Sequence, residues 1–430
     1  MEYHPVVTSF LSFDQQILLL RRSEKVGTHR GRWSAISGYL EGDEQPLTRA
    51  LIEIKEELEV DESQICLIRS GEILRAYDEE TDTVWVIHPF LFETKSQRVQ
   101  LNWENTEYVW VDPSDLASYS TVPKLKETFD RVRRDLLSSP TTLGASFNRT
   151  EEFSTDRVHG ASFLGRRAID ILSTTCSASE ARDKDELFYE LLLIAQRLRK
   201  SQPCMASVWN LVGSYLFLID RERSKASTVS QLKDASRTVA EKIVENSKDA
   251  SENAARYTAR AFPNNVRVLT HSYSNAVLRS LELGVKGGKI IEVYATESYP
   301  GLEGKQFAHD LLKLSVQVKS ISDSAVDSVI PTVDLVLVGS DSVLRDGSLV
   351  HKVGTEHIAA LAHDAGVIVR STCETMKFSA LDFLGERPRV GGVFDLTPRE
   401  YVSDYATELG LVNPTGVEER IRNIVEQVYP

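Results

Sequence analysis

Between Gly38 and Val60 the chain reads GYLEGDEQPLTRALIEIKEELEV, and a helical signal runs through it from Asp43 to Leu58. Glu53, Glu56 and Glu57 stand at i, i+3 and i+4, which puts three carboxylates on one helix face within a single turn. Leu51, Ile54 and Leu58 lie on the opposite face, where they would anchor the helix to a sheet. Like charges so placed repel by roughly a few tenths of a kcal/mol per pair unless a cation sits between them, and a hard divalent ion is the natural candidate. A bare E-x-x-E-E is more often a solvated acidic face, so its surroundings decide.

Outward from this helix, VVTSFLSF and QILLLRR precede it as a strand pair, and ICLIRSGEIL, VWVIHPFLFE and YVWVDP follow as strands, with a short helix up to Leu137. Residues 1–137 therefore form a mixed α/β unit. The stretch 138–154, SSPTTLGASFNRTEEFS, is rich in Ser, Thr, Pro and Gly with little periodicity and reads as a linker. Residues 155–262 are almost purely helical, with Leu232, Ala235, Val239, Ile243, Ala250, Ala254, Tyr257 and Ala261 tracing one long amphipathic helix of a bundle. From 263 to 430 the runs VRVLT, KIIEVYA, VQVKSIS, VDLVLVG and GVIVRS alternate with helices, the pattern of a doubly wound, Rossmann-like parallel sheet that binds ligands beyond its strand ends.

A length of 430 residues implies two or three folded units. With 50 basic against 63 acidic residues the net charge is −13, which disfavours bulk nucleic-acid binding. The longest apolar stretch, around Trp209–Ile219, is broken by Asn210, Gly213 and Ser214, so a buried helix is expected and no membrane span. Cys66, Cys176, Cys204 and Cys373 are widely spaced, which argues against a disulfide framework or zinc knuckle. With no basic and apolar leader at MEYHPVV, a cytoplasmic location is expected, and the Asn148-Arg-Thr sequon carries no glycan there. No GxxxxGK[ST] loop and no G-x-S-x-G elbow occurs.

Gly38 stands six residues before Glu44, and Glu44 nine before Glu53. With GRWSAISG before and TEYVWVDPSDL after, this resembles the Nudix box, G-x5-E-x7-R-E-U-x-E-E-x-G-U, over roughly residues 4–135. The resemblance implies an α/β/α sandwich around a mixed sheet and a metal-dependent hydrolase of diphosphates linked to a nucleoside or sugar. It assigns Glu53, Glu56 and Glu57 to Mg²⁺ or Mn²⁺, Glu104 or Glu107 to the base, and Gly38 and Glu44 to the substrate side. Two motif positions depart from the pattern: the Arg is Ile52 and the Gly is Glu59. Arg49, one turn earlier, is the candidate to brace Glu44. A Glu in the left-handed position where the motif has Gly costs about 1 kcal/mol if the backbone is kept.

Farther on, HGASFLGRRAIDIL from His159, THSYSNAVLRSLELG, ATESYPGLEGKQFAHDL, VLVGSDSVLRDGSLVHKVGTEHIAALAHDAG and FDLTPREYV are similar to the superfamily of the alpha, beta and delta subunits of translation initiation factor 2B. Methylthioribose-1-phosphate and ribose-1,5-bisphosphate isomerases share it. By that resemblance Asp341 is the isomerases' acid, and their Cys is Ser272, whose hydroxyl has no adjacent base and a far higher pKa than a thiol. The phosphate-gripping arginines are His159 and Tyr299 here, and an Asn before Lys352 is His351. Lys352, Gly354 and Thr355 remain at a helix start able to receive an anion, so a vestigial or altered phosphate pocket is expected. His271, His309, His357 and His363 are read as packed or surface residues. The resemblance also implies a homo-oligomer assembled through the C-terminal domain.

The expectation is thus a hydrolase of a small-molecule diphosphate whose second domain binds a sugar phosphate or nucleotide without isomerising it. One alternative is a catalytically silent regulatory protein like the initiation factor subunits. A second is a sugar-1-phosphate aldose-ketose isomerase.

Overall fold

The structure, a computed structural model, describes residues 2–41, 44–79, 82–133, 140–156, 158–385 and 390–428 of the chain. Asp43, the expected helix start, and residues 138 and 139 of the expected linker lie outside them. Two compact units are present, and they are not sequential. Unit 1 comprises 1–144 with 179–196 and 381–387; unit 2 comprises 145–178, 197–380 and 388–430.

In unit 1, strands β1 (Glu2–Phe13), β2 (Gln16–Arg22), β3 (Trp33–Ser34) and β4 (Ile36–Tyr39) precede helix α1 (Pro46–Leu58). Strands β5 (Ile65–Ser70), β6 (Leu74–Asp78), β7 (Thr83–Thr94) and β8 (Asn105–Val111) and helix α2 (Leu125–Asp130) follow. The eight strands form one sheet, mixed because β1 pairs with β7 in parallel while its β2 and β4 partners are antiparallel. Alternation along QILLLRR sends Leu18 and Leu20 to one face, with Val7, Ile36, Ala50, Ile54 and Leu58, and Ile17 and Leu19 to the other, with Phe10, Leu125 and Phe129. Helix α1 therefore lies on one face and α2 on the other, which is the expected sandwich.

The added segments are tied into this unit by specific contacts. Tyr189 Oη donates to Arg133 O at 2.9 Å, His88 Nε2 meets Leu384 O at 2.6 Å, and Tyr3 packs edge-on against Phe383.

The stretch expected as an irregular linker is helical, α3 running Pro140–Thr155. Its weak propensity is outweighed by packing, since Leu143 and Phe153 are buried and Arg197 stacks over Phe147. Helices α4 (Ala161–Ala178), α5 (Lys184–Ser201), α6 (Ala206–Lys225) and α7 (Val229–Ala261) complete the helical region, α7 being the expected long helix. Apolar α6 buries Trp209, Leu211, Val212, Tyr215 and Ile219. Among the described residues no helix is long and apolar enough to cross a membrane. Cys176, Cys204 and Cys373 are buried and Cys66 is exposed, all as free thiols.

Unit 2 is built on β9 (Asn265–Thr270), α8 (Asn275–Lys286), β10 (Ile290–Thr296), α9 (Glu303–Lys313), β11 (Gln317–Ile321), α10 (Val326–Val329) and β12 (Leu335–Val338). Then come β13 (Ser342–Val343), β14 (Leu349–Lys352), α11 (Thr355–Asp364), β15 (Ile368–Thr372), β16 (Phe394–Thr397), β17 (Asp404–Thr407), β18 (Gly410–Val412) and α12 (Val417–Val428). The main sheet runs β11-β10-β9-β12-β15-β17-β18, parallel except for its last strand, and β13-β14-β16 make a small antiparallel sheet. Chain order turns back between β9 and β12, so the crevice beyond their carboxyl ends is the topological switch point. Ser272 follows β9 and Asp341 follows β12.

Candidate functional site

In unit 1 the carboxylates of α1 are brought to β4 and to the start of β8. Glu57 is 4% exposed, and both its oxygens are held: Ser37 N donates to Oε1 at 3.0 Å and Asn105 Nδ2 to Oε2 at 2.7 Å. Burial pushes its pKa up to about 8, with Glu104 and Glu53 adding to the rise and the two hydrogen bonds opposing it. Glu53 is also buried and raised above the usual carboxylate range, first by burial and then by Glu56 and Glu104, against an ion pair with Arg49. Glu56 is exposed. Gly38 is required by this packing, because a Cβ there would fall 1.7 Å from Glu53 Oε1.

The structure therefore brings together Gly38, Glu53, Glu57 and Glu104. Glu107 is directed elsewhere, paired with Arg21 across the β2–β8 register. Arg49, the expected brace for Glu44, pairs with Glu53, and Glu44 contributes only at longer range. Glu59 ends α1 in the left-handed conformation at φ 55°, ψ 25°, so the backbone of the motif is kept despite the side chain. Ser37 and Asn105, which position Glu57, carried no signal in the sequence, because the contact joins three distant segments.

Among the described residues no group of three or more Asp, Glu, His or Cys side chains is arranged to hold a metal ion, the expected set Glu53, Glu56 and Glu57 included. The chemistry of the donor set nonetheless fits a hard divalent ion. It is all oxygen, and it concentrates several carboxylates beside a buried Glu57 whose ionised form is disfavoured until positive charge is supplied.

At the switch point of unit 2, Ser272 follows β9 and Asp341 follows β12, with Lys352 and Lys377 near enough to act electrostatically on Asp341. Burial raises the Asp341 pKa to about 6, while Lys377 and Lys352 oppose the rise. Lys377, 5% exposed, was missed in the sequence. Ser272 takes φ 68°, its N–H donates to Ser298 Oγ at 2.7 Å, and its Oγ donates to Glu303 Oε1 at 3.0 Å. Lys352 Nζ donates to the same oxygen at 2.8 Å. No thiol replaces the one missing at 272. Cys204 is raised by burial and by Asp341, and Cys373 by burial, so both are poor thiolates.

The helix start expected to receive an external anion already holds one from the chain. Asp395 Oδ2 accepts from Gly354 N at 2.7 Å and Glu356 N at 3.1 Å. Gly354 has φ 102°, and a Cβ on it would press on His271 Nε2 at 3.1 Å. Thr355 caps inward, donating to Lys352 O. His271 is packed, with Nε2 on Val353 O and Nδ1 on Thr296 Oγ1; since a carbonyl only accepts, Nε2 carries the proton. His309, His357 and His363 are exposed beside acids. His159 stacks on Phe163 and pairs with Asp156, and Tyr299 is exposed.

Comparison with known proteins locates two families on the chain. The model of the initiation factor 2 subunit family matches residues 157–389, and that of the NUDIX domain matches 2–132. A ribose 1,5-bisphosphate isomerase of Methanocaldococcus jannaschii is 27% identical over 287 residues, spanning 62% of this chain and 91% of that protein. A putative translation initiation factor eIF-2B subunit 2-like protein of Pyrococcus furiosus is 30% identical over 276 residues, 61% of this chain and 95% of its own. Among solved structures, the tetrameric eIF2B-beta2-delta2 complex of C. thermophilum is similar with a TM-score of 0.57 at 21% identity, covering 65% of this chain and 94% of that one. The 5-methylthioribose 1-phosphate isomerase of Pyrococcus horikoshii gives 0.54 at 21% identity, over 65% and 87%. At such identities these structures speak for the fold alone.

Proposed function

Because the chain belongs to the initiation factor 2 subunit family and carries a NUDIX domain ahead of that region, we propose that it is a divalent-metal-dependent hydrolase of a nucleoside- or sugar-linked diphosphate, with a second domain that binds a sugar phosphate or nucleotide. The observation that carries the hydrolase reading is Glu57, a buried carboxylate with both oxygens fixed, standing among Glu53, Glu56 and Glu104. Glu53, Glu56 and Glu57 would hold Mg²⁺ or Mn²⁺. Such an ion, when bound, offsets charge on phosphoryl oxygens and lowers the pKa of water.

The chain's own residues do the positioning. Ser37 and Asn105 fix the Glu57 carboxylate, Arg49 orients Glu53, and Gly38 leaves room for it. Glu104, whose charge acts on both Glu53 and Glu57, would take the proton of the attacking water. Glu44, which acts on Arg49 only at longer range, would face the substrate.

The second domain is read as a non-isomerase. Contrary to the expectation of no adjacent base, the Ser272 hydroxyl donates to Glu303 Oε1, but that acid is paired with Lys352, whose charge weakens it as a base. Self-association through this domain is part of the proposal, supported by the tetrameric complex among its structural relatives.

The test is incubation with Mg²⁺ and ADP-ribose, nucleoside diphosphate sugars, dinucleoside polyphosphates and phosphoribosyl pyrophosphate, beside Glu57→Gln. Release of phosphate or a nucleoside monophosphate that falls at least about a hundredfold in the variant supports the hydrolase. Equal background rates leave the second reading, a silent regulatory protein, which the Ile52 departure favours, whereas Glu59 keeps the motif's backbone.

A further inference from the structure

Glu303, the first residue of α9, sits where the cationic and hydroxyl groups of the unit 2 crevice converge. Its Oε1 accepts from Lys352 Nζ at 2.8 Å and from Ser272 Oγ at 3.0 Å. Lys352 is only 13% exposed in this pair. The chain makes space for the contact at Gly301, where a Cβ would fall 2.3 Å from Glu303 Oε2 and 3.2 Å from Lys352 Nζ. Ser272 is turned toward it by its left-handed backbone. The other anion seat of the crevice, the start of α11, is filled by Asp395. Among the described residues, Lys352 and Lys377 are thus set against Asp341, Glu303 and Asp395, so their positive charge is already matched by the chain's own acids.

We propose that Glu303 is an internal competitor for the phosphate seat, a specificity-determining residue that holds Lys352 so that a phosphate-bearing ligand enters only by displacing it. This rests on the reading of the Ser272–Asp341 crevice as a sugar-phosphate or nucleotide site and adds what limits its affinity. A tethered carboxylate competes at a high effective concentration, whereas a free phosphate must come from bulk solution. Phosphate does bring more charge and more acceptor oxygens than a carboxylate. Removing the charge at 303 leaves Lys352 and the Ser272 hydroxyl unopposed, and the room secured by Gly301 remains.

The experiment is calorimetric titration of the full chain with inorganic phosphate and with ribose 5-phosphate. The variants are Glu303→Gln, Glu303→Ala, and Glu303→Gln combined with Lys352→Met. Both single variants are expected to bind each probe about tenfold tighter than the wild type, and the double variant to lose that gain. Wild-type affinity equal to that of the single variants overturns the proposal, as does a gain that survives loss of Lys352. So does the absence of binding by folded single variants. Should Glu303→Gln melt below the assay temperature, Glu303→Asp decides: its shorter reach loosens the pair and raises phosphate affinity about twofold, and an unchanged affinity overturns the idea. Failure of the crevice reading is distinguished by titrating wild type and Asp341→Asn with unphosphorylated ribose and adenosine. Binding lost in Asp341→Asn keeps the crevice as a ligand site even where the Glu303 proposal falls.

Discussion

Gly38 and Glu53 share a space that admits one side chain: the hydrogen at residue 38 leaves the volume into which the Glu53 carboxylate folds, and a Cβ would lie 1.7 Å from its Oε1. The extended β4 strand and the middle of α1 are locked together by this absence of a side chain. Gly38→Ala is therefore expected to eject Glu53 from its position while the sheet core stays formed. Mn²⁺ affinity and diphosphate hydrolysis should both fall, the latter by about a hundredfold, as for other small misplacements at a reacting centre. Metal titration beside a thermal melt checks this; unchanged metal affinity in a folded Gly38→Ala chain would contradict it.

At the other end of α1, Glu59 holds φ 55° with its N–H bonded to Lys55 O. An L-residue with a long side chain is strained there and glycine is not. Glu59→Gly should stabilise the chain by about 1 kcal/mol with no change in hydrolysis, read from urea unfolding. A destabilised variant would mean that the Gln100 Nε2 contact to Glu59 outweighs the backbone term.

His88 is buried, and burial lowers its pKa from 6.5 to about 4. Between these values the unfolded chain binds a proton that the folded chain refuses, so stability is intact above pH 6.5 and is lost as pH falls toward 4. At about 1.4 kcal/mol per pKa unit the loss approaches about 3 kcal/mol. His88→Gln should flatten that part of the stability profile of unit 1. Because the raised acids Glu57 and Glu53 act in the opposite sense over the same range, the test is the difference between the two chains: wild-type and His88→Gln profiles of equal slope from about pH 6.5 to 4.5 would refute the assignment.

For the crevice of unit 2, Ser272 predicts no conversion of ribose 1,5-bisphosphate or methylthioribose 1-phosphate from aldose to ketose, followed by NMR of the sugar. Turnover that disappears in Ser272→Ala would show that a hydroxyl held by Glu303 can do the work of a thiol.

Much of the architecture was legible because it rests on local periodicity. The alternation of QILLLRR, the heptad-like apolar positions of α7 and the short apolar runs from β9 to β15 each depend on neighbours in sequence. The motif spacing likewise made Gly38, Glu53 and Glu57 stand out. What remained hidden depends on distant segments meeting. Nothing local to Asn105 or Ser37 marks them as partners of Glu57. Nothing in FDLTPREY announces that Asp395 will fill the α11 start, nor does GLEGK show that Glu303 will hold Lys352. The helix at Pro140–Thr155 was hidden for a related reason, since its support comes from burying Leu143 and Phe153 rather than from its own composition. The interleaving of 179–196 and 381–387 into unit 1 is a tertiary fact with no sequence signature.

The central claim is that the acids of α1 grip a divalent ion. Isothermal titration of the folded chain with Mn²⁺, with and without a non-hydrolysable diphosphate analogue, tests it most directly, run beside Glu57→Gln. The account predicts saturable uptake by the wild type, tightened by the analogue and weakened at least about tenfold by the variant. No uptake under either condition, or uptake identical in Glu57→Gln, would contradict it.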